Sequence, residues 1–386
     1  MVNISNGMKS SKGMVLVTGG AGFIGSHLVD GLINAGYSVR VLDSLNPPTH
    51  NGKVPEWFNK KAELIKGDVR DRKTLEKVLA GVDYVFHLAA YMDFLPDFST
   101  YFTTNTASTA LIYEIIVEKK LPVKKVIITS SQSVYGEGKY RCAKHGEMYL
   151  KHRSESQLKK KDWEMHCPQD GSVVQPVAEN EDDILSPQIP YGISKLAAEK
   201  VAVILGKIYN IPTVSVRYSI VHGIRQSFRH FYSGALRSFA VQALSGKPLT
   251  IHEDGKQIRD FVNIKDVTSA HLLLLENSKA DYEAFNIGSG QVTTVLDVAK
   301  LVAKEAGIKF QPKLTGEYRL NTPRHQIMNI DKLKKLGWKP KYTLSDNVKE
   351  YVQWVSNYPE AIKYFQLSDK VLKKAKIIKI NRYLNG

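Results

Sequence analysis

The chain predicts an α/β fold: a doubly wound parallel sheet of Rossmann type followed by a smaller mixed α/β domain. Three observations carry this. Short β-branched runs alternate with helix-length segments through about the first two hundred residues, one such run leads directly into a glycine cluster and a helix, and after about residue 218 short strands mix with several helices. The strand candidates are Val15–Val17, Val39–Leu42, Glu63–Ile65, Tyr84–Leu88, Val126–Thr129 and Thr213–Val216. Most are nearly unbroken apolar runs, as parallel strands covered on both faces require. The first helix, Phe23–Ala35, stops at Gly36 in the position of a C-terminal cap. A chain of 386 residues accommodates about two domains. We place the first at 14–217 and the second at 218–365, with 265–290 returning to the first, and leave 366–386 as a basic tail.

The 54 Lys and Arg against 38 Asp and Glu give a formal charge of +16, which raises nucleic acid or a membrane as partners. Half of that surplus lies in residues 138–178 and 366–386, and the rest forms no stripe, so nucleic acid is not expected. Two cysteines exclude a disulfide framework and favour a reducing compartment. The first residues lack an apolar signal core and no 18 apolar residues run together, so a cytoplasmic location is expected.

Residues 18–25, Thr-Gly-Gly-Ala-Gly-Phe-Ile-Gly, join the first strand to the first helix. Glycines let the backbone turn tightly and approach a pyrophosphate, and the following helix offers free N–H groups and a positive dipole end. Gly19, Gly22, Phe23, Ile24 and Gly25 are therefore cofactor candidates. Asp43 ends the second strand, where a carboxylate accepts from ribose hydroxyls, and no Lys or Arg follows until Lys53. That pattern favours NAD over NADP. Further along, Tyr191 and Lys195 stand four residues apart at the start of a helix reaching about Tyr209. On one helix face, a cation near a phenol lowers its pKa toward the range of a general base.

With these motifs in place, the sequence resembles the extended short-chain dehydrogenase/reductase family, and within it the NAD-dependent nucleotide-sugar epimerases and dehydratases. The similarity runs from about Met14 to Asn357 through TGGAGFIG (18–25), GDVRD (67–71), HLAA (87–90), SSQSVYG (130–136), YGISK (191–195), RDFVNIKD (259–266) and YRLNTPRH (318–325). The resemblance implies that Asp68 and Val69 flank the adenine, that Leu88, Ala89 and Ala90 line the cofactor path, and that Asn105 and Tyr218 lie near it. It implies a Ser131–Tyr191–Lys195 triad, Ser131 and Ser133 on the sugar, and Arg259, Arg319 and Arg324 on the diphosphate. Dehydratases of the family carry an acid and a base beside the serine; Gln132 and Ser133 stand there, which points to epimerisation, most often at C4. Ile220, His222 and Thr322-Pro323 depart from the common pattern. The subgroup it resembles lies near the dTDP-L-rhamnose 4-epimerases, and the family implies a homodimer. A dehydrogenase or reductase with net NAD(H) turnover is the rival reaction, and a non-catalytic NAD-binding regulator the rival class.

Residues 138–178 interrupt the alternation and read as an insertion with structure of its own. Cys142-x-x-His145 and Cys167-x-x-Asp170 are paired at zinc-ribbon spacing, each followed by glycine. Asp170 is a poor fourth zinc ligand, although His166 could substitute, so a degenerate ribbon held by packing is expected over one that binds zinc. In the tail, Val371, Leu372, Ala375, Ile377 and Ile378 recur at roughly helical spacing among lysines. A solvated helix packed on the second domain or a partner subunit is expected there, with membrane-surface contact as the alternative.

Overall fold

The computed structural model describes residues 11–93, 96–229, 234–374 and 377–379. The first half alternates β1 (Met14–Thr18), α1 (Phe23–Asn34), β2 (Ser38–Asp43), β3 (Glu63–Lys66), α2 (Arg72–Leu79), β4 (Tyr84–His87), α3 (Phe98–Tyr101), α4 (Ser108–Glu118) and β5 (Lys125–Ser131). A small unit follows, made of β6 (Lys139–Cys142), β7 (Gly146–Tyr149), α5 (Glu155–Lys159) and β8 (Gln175–Val177), before α6 (Pro190–Ile208) and β9 (Thr213–Tyr218) resume the pattern. The remainder runs β10 (Ile220–His222), α7 (Ala235–Leu244), β11 (Leu249–Ile251), β12 (Ile258–Arg259), β13 (Phe261–Asn263), α8 (Ile264–Glu276), β14 (Glu283–Ile287), β15 (Thr293–Thr294), α9 (Val295–Glu305), β16 (Pro312–Leu314), α10 (Asp331–Lys335), α11 (Leu344–Val355) and α12 (Ala361–Lys374).

Seven strands form one parallel sheet in the order β14-β9-β5-β4-β1-β2-β3. The unbroken apolar runs supply both faces. Val15, Val17, Val39, Val41 and Phe86 join the core beneath α1 and α8, while Leu16, Leu42 and Val85 join the core beneath α2 and α4. Strand order reverses between β2 and β4 on either side of β1, which opens a crevice beyond the carboxyl ends of these strands. The chain returns to this sheet from the second domain, because β14 pairs with β9 and α8 lies on α1. The second domain has its own core among α7, α9, α11 and the aromatic residues before α12.

The described part of the tail includes a helix packed on the second domain, as expected, but with other bounds. Helix α12 begins at Ala361, before the tail, and ends at Lys374 with Leu372 buried. Lys379 then pairs with Tyr318 through two backbone hydrogen bonds of 2.9 and 3.2 Å, and Ile378 is buried. The tail is thus stitched to the segment that carries Arg319. Positions 375, 376 and 380–386 lie outside the described residues.

Helix α6 sits unusually close to the sheet. A Cβ on Gly192 would lie 2.7 Å from the Ser133 carbonyl, and one on Gly206 would lie 2.3 Å from Thr213 Oγ1. Between these contacts Glu199, buried at 3% exposure, accepts from Arg217 Nε at 3.0 Å and Nη2 at 2.5 Å and from Ser215 Oγ at 3.1 Å. Breaking a buried pair of this kind leaves a charge uncompensated. Glu199→Ala is expected to lower stability by about 3–5 kcal/mol in chemical denaturation. Combined with Arg217→Met, the loss should be smaller than the two single losses added.

Candidate active site

The glycine turn shows why glycine occupies it. Gly19 has φ +69°, and its Cβ position lies 2.9 Å from the Ala89 amide nitrogen, so the turn packs directly against Leu88 and Ala89. A Cβ on Gly25 would stand 2.2 Å from the Gly19 carbonyl. Helix α1 starts at Phe23 with no side chain capping its first turn, leaving amide N–H groups for an anion. Asp43 is buried at the end of β2, where Oδ2 accepts from the Ala21 amide at 3.0 Å and Oδ1 from the Leu45 amide at 2.9 Å. A dinucleotide whose pyrophosphate sits on this turn and whose ribose meets Asp43 fits what the residues leave open. Asp68 follows β3 and is held by Arg70 at 2.7 and 3.0 Å, which keeps its carboxyl below the usual range; Val69 beside it is buried.

A directional hydrogen-bond chain fixes the base of the crevice. Ser108 Oγ donates to the Thr104 carbonyl, so it accepts from His87 Nε2 at 2.9 Å; His87 Nδ1 then accepts from Thr18 Oγ1 at 2.8 Å. Burial drives the His87 pKa down to about 3, so the ring is neutral, as this assignment requires. Asn105 lies in a π-helical turn, where its amide bridges the Tyr91 backbone and Ser194 Oγ on α6. In this way it positions helix α6.

Tyr191 occupies the first turn of α6, directly after Pro190, and Ser131 ends β5. The close contact at Gly192 lays that first turn on the Gln132–Tyr135 turn, whose cap is Ser131 Oγ accepting from the Ser133 amide at 3.2 Å. Lys195 reaches beneath the helix and donates to the Thr129 carbonyl at 2.7 Å and to Thr129 Oγ1 at 3.1 Å. Full burial lowers its pKa to about 7.

A cavity of about 410 Å³ opens beside Tyr191, with Ser131 and Lys195 outside its lining. Tyr191, Gln132 and Ser133 line it, and Arg259 and Arg319 contribute cations. Arg259 is already engaged with three carbonyls, those of Ile258, Pro323 and Arg324, at 2.7–2.9 Å. Ile220 and Thr322-Pro323 also face the cavity.

One expected site residue, Arg324, is placed elsewhere. Arg324 is fully buried, and its guanidinium is clamped between Glu164, Glu253 and Asp254 at 2.6–3.0 Å; it joins the insertion to the second domain and does not face the cavity. Tyr218 pairs with Ser131 along the sheet, but its hydroxyl lies 2.5 Å from His271 Nε2 on α8. Burial, and after it the neighbouring Tyr191, push its phenol well above the usual range, so the ring lies beside Tyr191. Sequence reasoning missed His152 from the insertion and Ile377 from the tail, both of which line the cavity. No local pattern marks either one. Gly192 was readable, since a glycine in the first turn of a helix calls for a close neighbour. The four residues Cys142, His145, Cys167 and Asp170 are brought together away from this cavity.

A profile of the NAD dependent epimerase/dehydratase family matches residues 15–156 and 168–288, leaving 157–167 of the insertion unmatched. The chain belongs to this family. It is 32% identical over 349 residues to the dTDP-L-rhamnose 4-epimerase of Burkholderia thailandensis, covering 89% of this chain and 94% of that protein. It is 31% identical to a putative UDP-glucose 4-epimerase of Methanocaldococcus jannaschii, over 89% and 99% of the two chains. Among solved structures, the UDP-glucuronic acid 4-epimerase of Bacillus cereus in complex with NAD aligns with a TM-score of 0.71 at 29% identity, over 89% and 99% of the chains. The UDP-glucose 4-epimerase of Thermotoga maritima with UDP-glucose aligns with 0.70 at 30% identity and the same coverage. The cofactor of the family is NAD, in keeping with the acid at the end of β2. Among the described residues, no helix is long and apolar enough to cross a membrane.

The burial of Lys195 gives a signed pH effect. Between about pH 7 and its ordinary value of 10.5, the unfolded chain binds a proton there that the folded chain without cofactor does not, so this group adds stability as pH rises through that window. Lys195→Met should flatten that rise in melting temperature, measured on the cofactor-free protein. An unchanged pH profile would show that the lysine stays protonated in the fold.

Proposed function

We propose that this enzyme inverts C4 of a nucleoside-diphosphate sugar through a 4-keto sugar. The observation that carries the reading is the lining of the cavity. Tyr191 stands there with Gln132 and Ser133, two side chains with no proton to trade near neutral pH, where water elimination would need an acid and a base. NAD held on the glycine turn and by Asp43 would supply the hydride chemistry, accepting the C4 hydrogen with its electron pair and giving it back on the opposite face. Tyr191 takes the C4 hydroxyl proton and later gives it back. Lys195, aligned by Thr129, supplies the positive charge that makes the phenolate accessible, and Ser131 hydrogen-bonds the same sugar oxygen. Arg259 and Arg319 face the substrate diphosphate, where guanidinium groups meet phosphate oxygens well. A second copy of the chain covers the apolar strip Ile193, Ile204 and Ile208, which α6 leaves exposed.

Incubation with pairs of C4-epimeric dTDP-, UDP-, GDP- and CDP-sugars tests the reaction. One pair should converge on the same ratio from either side without net NADH. Stoichiometric accumulation of NADH would instead establish a dehydrogenase. Tyr191→Phe should lower kcat by about 10²–10⁴-fold, while cofactor content stays near that of the wild type.

A further inference from the structure

The 138–178 insertion holds a cluster that the reaction does not use. Strand β6 ends on Cys142 and turns through Ala143, Lys144 and His145 to Gly146, φ +75°, which pairs with Cys142 across the hairpin. The second half repeats the form. Cys167 leads through Pro168, Gln169 and Asp170 to Gly171, φ +74°, with hydrogen bonds of 2.8 Å from Cys167 N to the Ser172 carbonyl and from Gly171 N to the Cys167 carbonyl. In each turn, two backbone amides lie near the sulfur: those of Lys144 and His145 at Cys142, and those of Gln169 and Asp170 at Cys167. The cysteines are not joined as a disulfide.

One ligand atom from each of Cys142, His145, Cys167 and Asp170 can be chosen so that all four lie within 4.8 Å of one another. His145 Nδ1 is 3.5 Å from Cys142 Sγ, 3.2 Å from Cys167 Sγ and 3.9 Å from Asp170 Oδ2. An ion bonded tetrahedrally at about 2.3 Å to sulfur and about 2.0–2.1 Å to nitrogen or oxygen spaces its ligands by about 3.3–3.8 Å. The observed separations are close to those edges. Asp170, the doubtful ligand by sequence, is oriented for the task. Its Oδ1 accepts from the Ser172 amide at 3.0 Å and from Ser172 Oγ at 2.7 Å, while Oδ2 faces the imidazole. Outer partners of this kind fix a ligating carboxylate.

We propose that Cys142, His145, Cys167 and Asp170 bind one zinc ion in a closed structural site. Two thiolates, an imidazole and a carboxylate at tetrahedral spacing suit zinc above harder cations. The insertion also has need of it. Its apolar core is Tyr140, Cys142, Met165, Cys167 and Val174, so two of the five buried residues are ligands. Units of about 40 residues usually require a metal or disulfides to hold their shape.

The test is elemental analysis of untagged protein purified without chelator, with metal-free cobalt(II) reconstitution alongside. The expected result is about one zinc per chain, lost in Cys142→Ser and in Cys167→Ser. Should either variant fail to fold, cobalt(II) added to stripped wild-type protein is expected to give the intense visible bands of a tetrahedral site with thiolate-to-cobalt charge transfer. Asp170→Asn should weaken zinc retention against a competing chelator by at least tenfold, with the thiolate bands preserved. Reduced wild-type protein with neither zinc nor cobalt bands would overturn the proposal. So would isolation of a Cys142–Cys167 disulfide in place of metal. Both readouts are independent of catalysis.

Discussion

A guanidinium and a carboxylate shut away from water hold the catalytic half of the molecule in register. Arg217 on β9 binds Glu199 on α6 through two hydrogen bonds, and its remaining donors reach Tyr135 Oη at 2.8 Å and the Glu181 carbonyl at 2.8 Å. Tyr135 in turn donates to Asn286 on β14, whose side chain reaches the carbonyls of Glu179 and Asn329. One buried network therefore joins the helix bearing Tyr191 and Lys195, the turn after Ser131, the strand that returns from the second domain, and the point where the insertion rejoins the body. An apolar replacement could match its stability. It could not match the geometry, because directed bonds fix the rotation of α6 over the sheet, and with it the reach of Lys195 to Thr129.

The same physics accounts for Arg324, which looked like an anion binder, and for its neighbour Arg153. Arg153 is buried and forks onto Glu253 at 2.8 and 3.0 Å, and Arg324 shares that carboxylate while also holding Glu164 and Asp254. Two guanidiniums and three carboxylates thus form an internal clamp between the insertion and the second domain. Part of the formal charge of +16 is neutralised inside the protein, by partners distant in sequence. A guanidinium in a motif does not by itself say which anion it meets.

This marks the boundary of what the sequence made legible. The strands, the glycine turn and the Tyr–Lys pair could be read because each depends on neighbours within a few residues: alternation between two buried faces, a steric ceiling over a turn, one helical turn between two side chains. The fold class follows from those local rules. Arg324, His152 and Ile377 could not be placed, because their surroundings are assembled from separate segments of the chain. The acids of RDFVNIKD show the same limit. Asp260 accepts from Ser289 and Gly290 at 2.7–3.0 Å, and Asp266 accepts from the amides of Lys341 and Tyr342 at 2.9 and 3.1 Å, so both are ties between loops. Nothing in the motif separates such ties from the Arg259 that faces the cavity.

The pairing of Lys379 with Tyr318 places Ile377 in the wall of the same cavity that begins, in sequence, at Met92. During synthesis, the strands that hold the cofactor emerge first, apart from β14, and domains tend to fold in that order. A ribosome-bound chain can therefore hold a finished dinucleotide crevice while the chamber above it still lacks a side. The enzyme acquires its cofactor half and its substrate half at different moments of its own making, and Ile377 adds its wall after Arg259 and Arg319 are already in place.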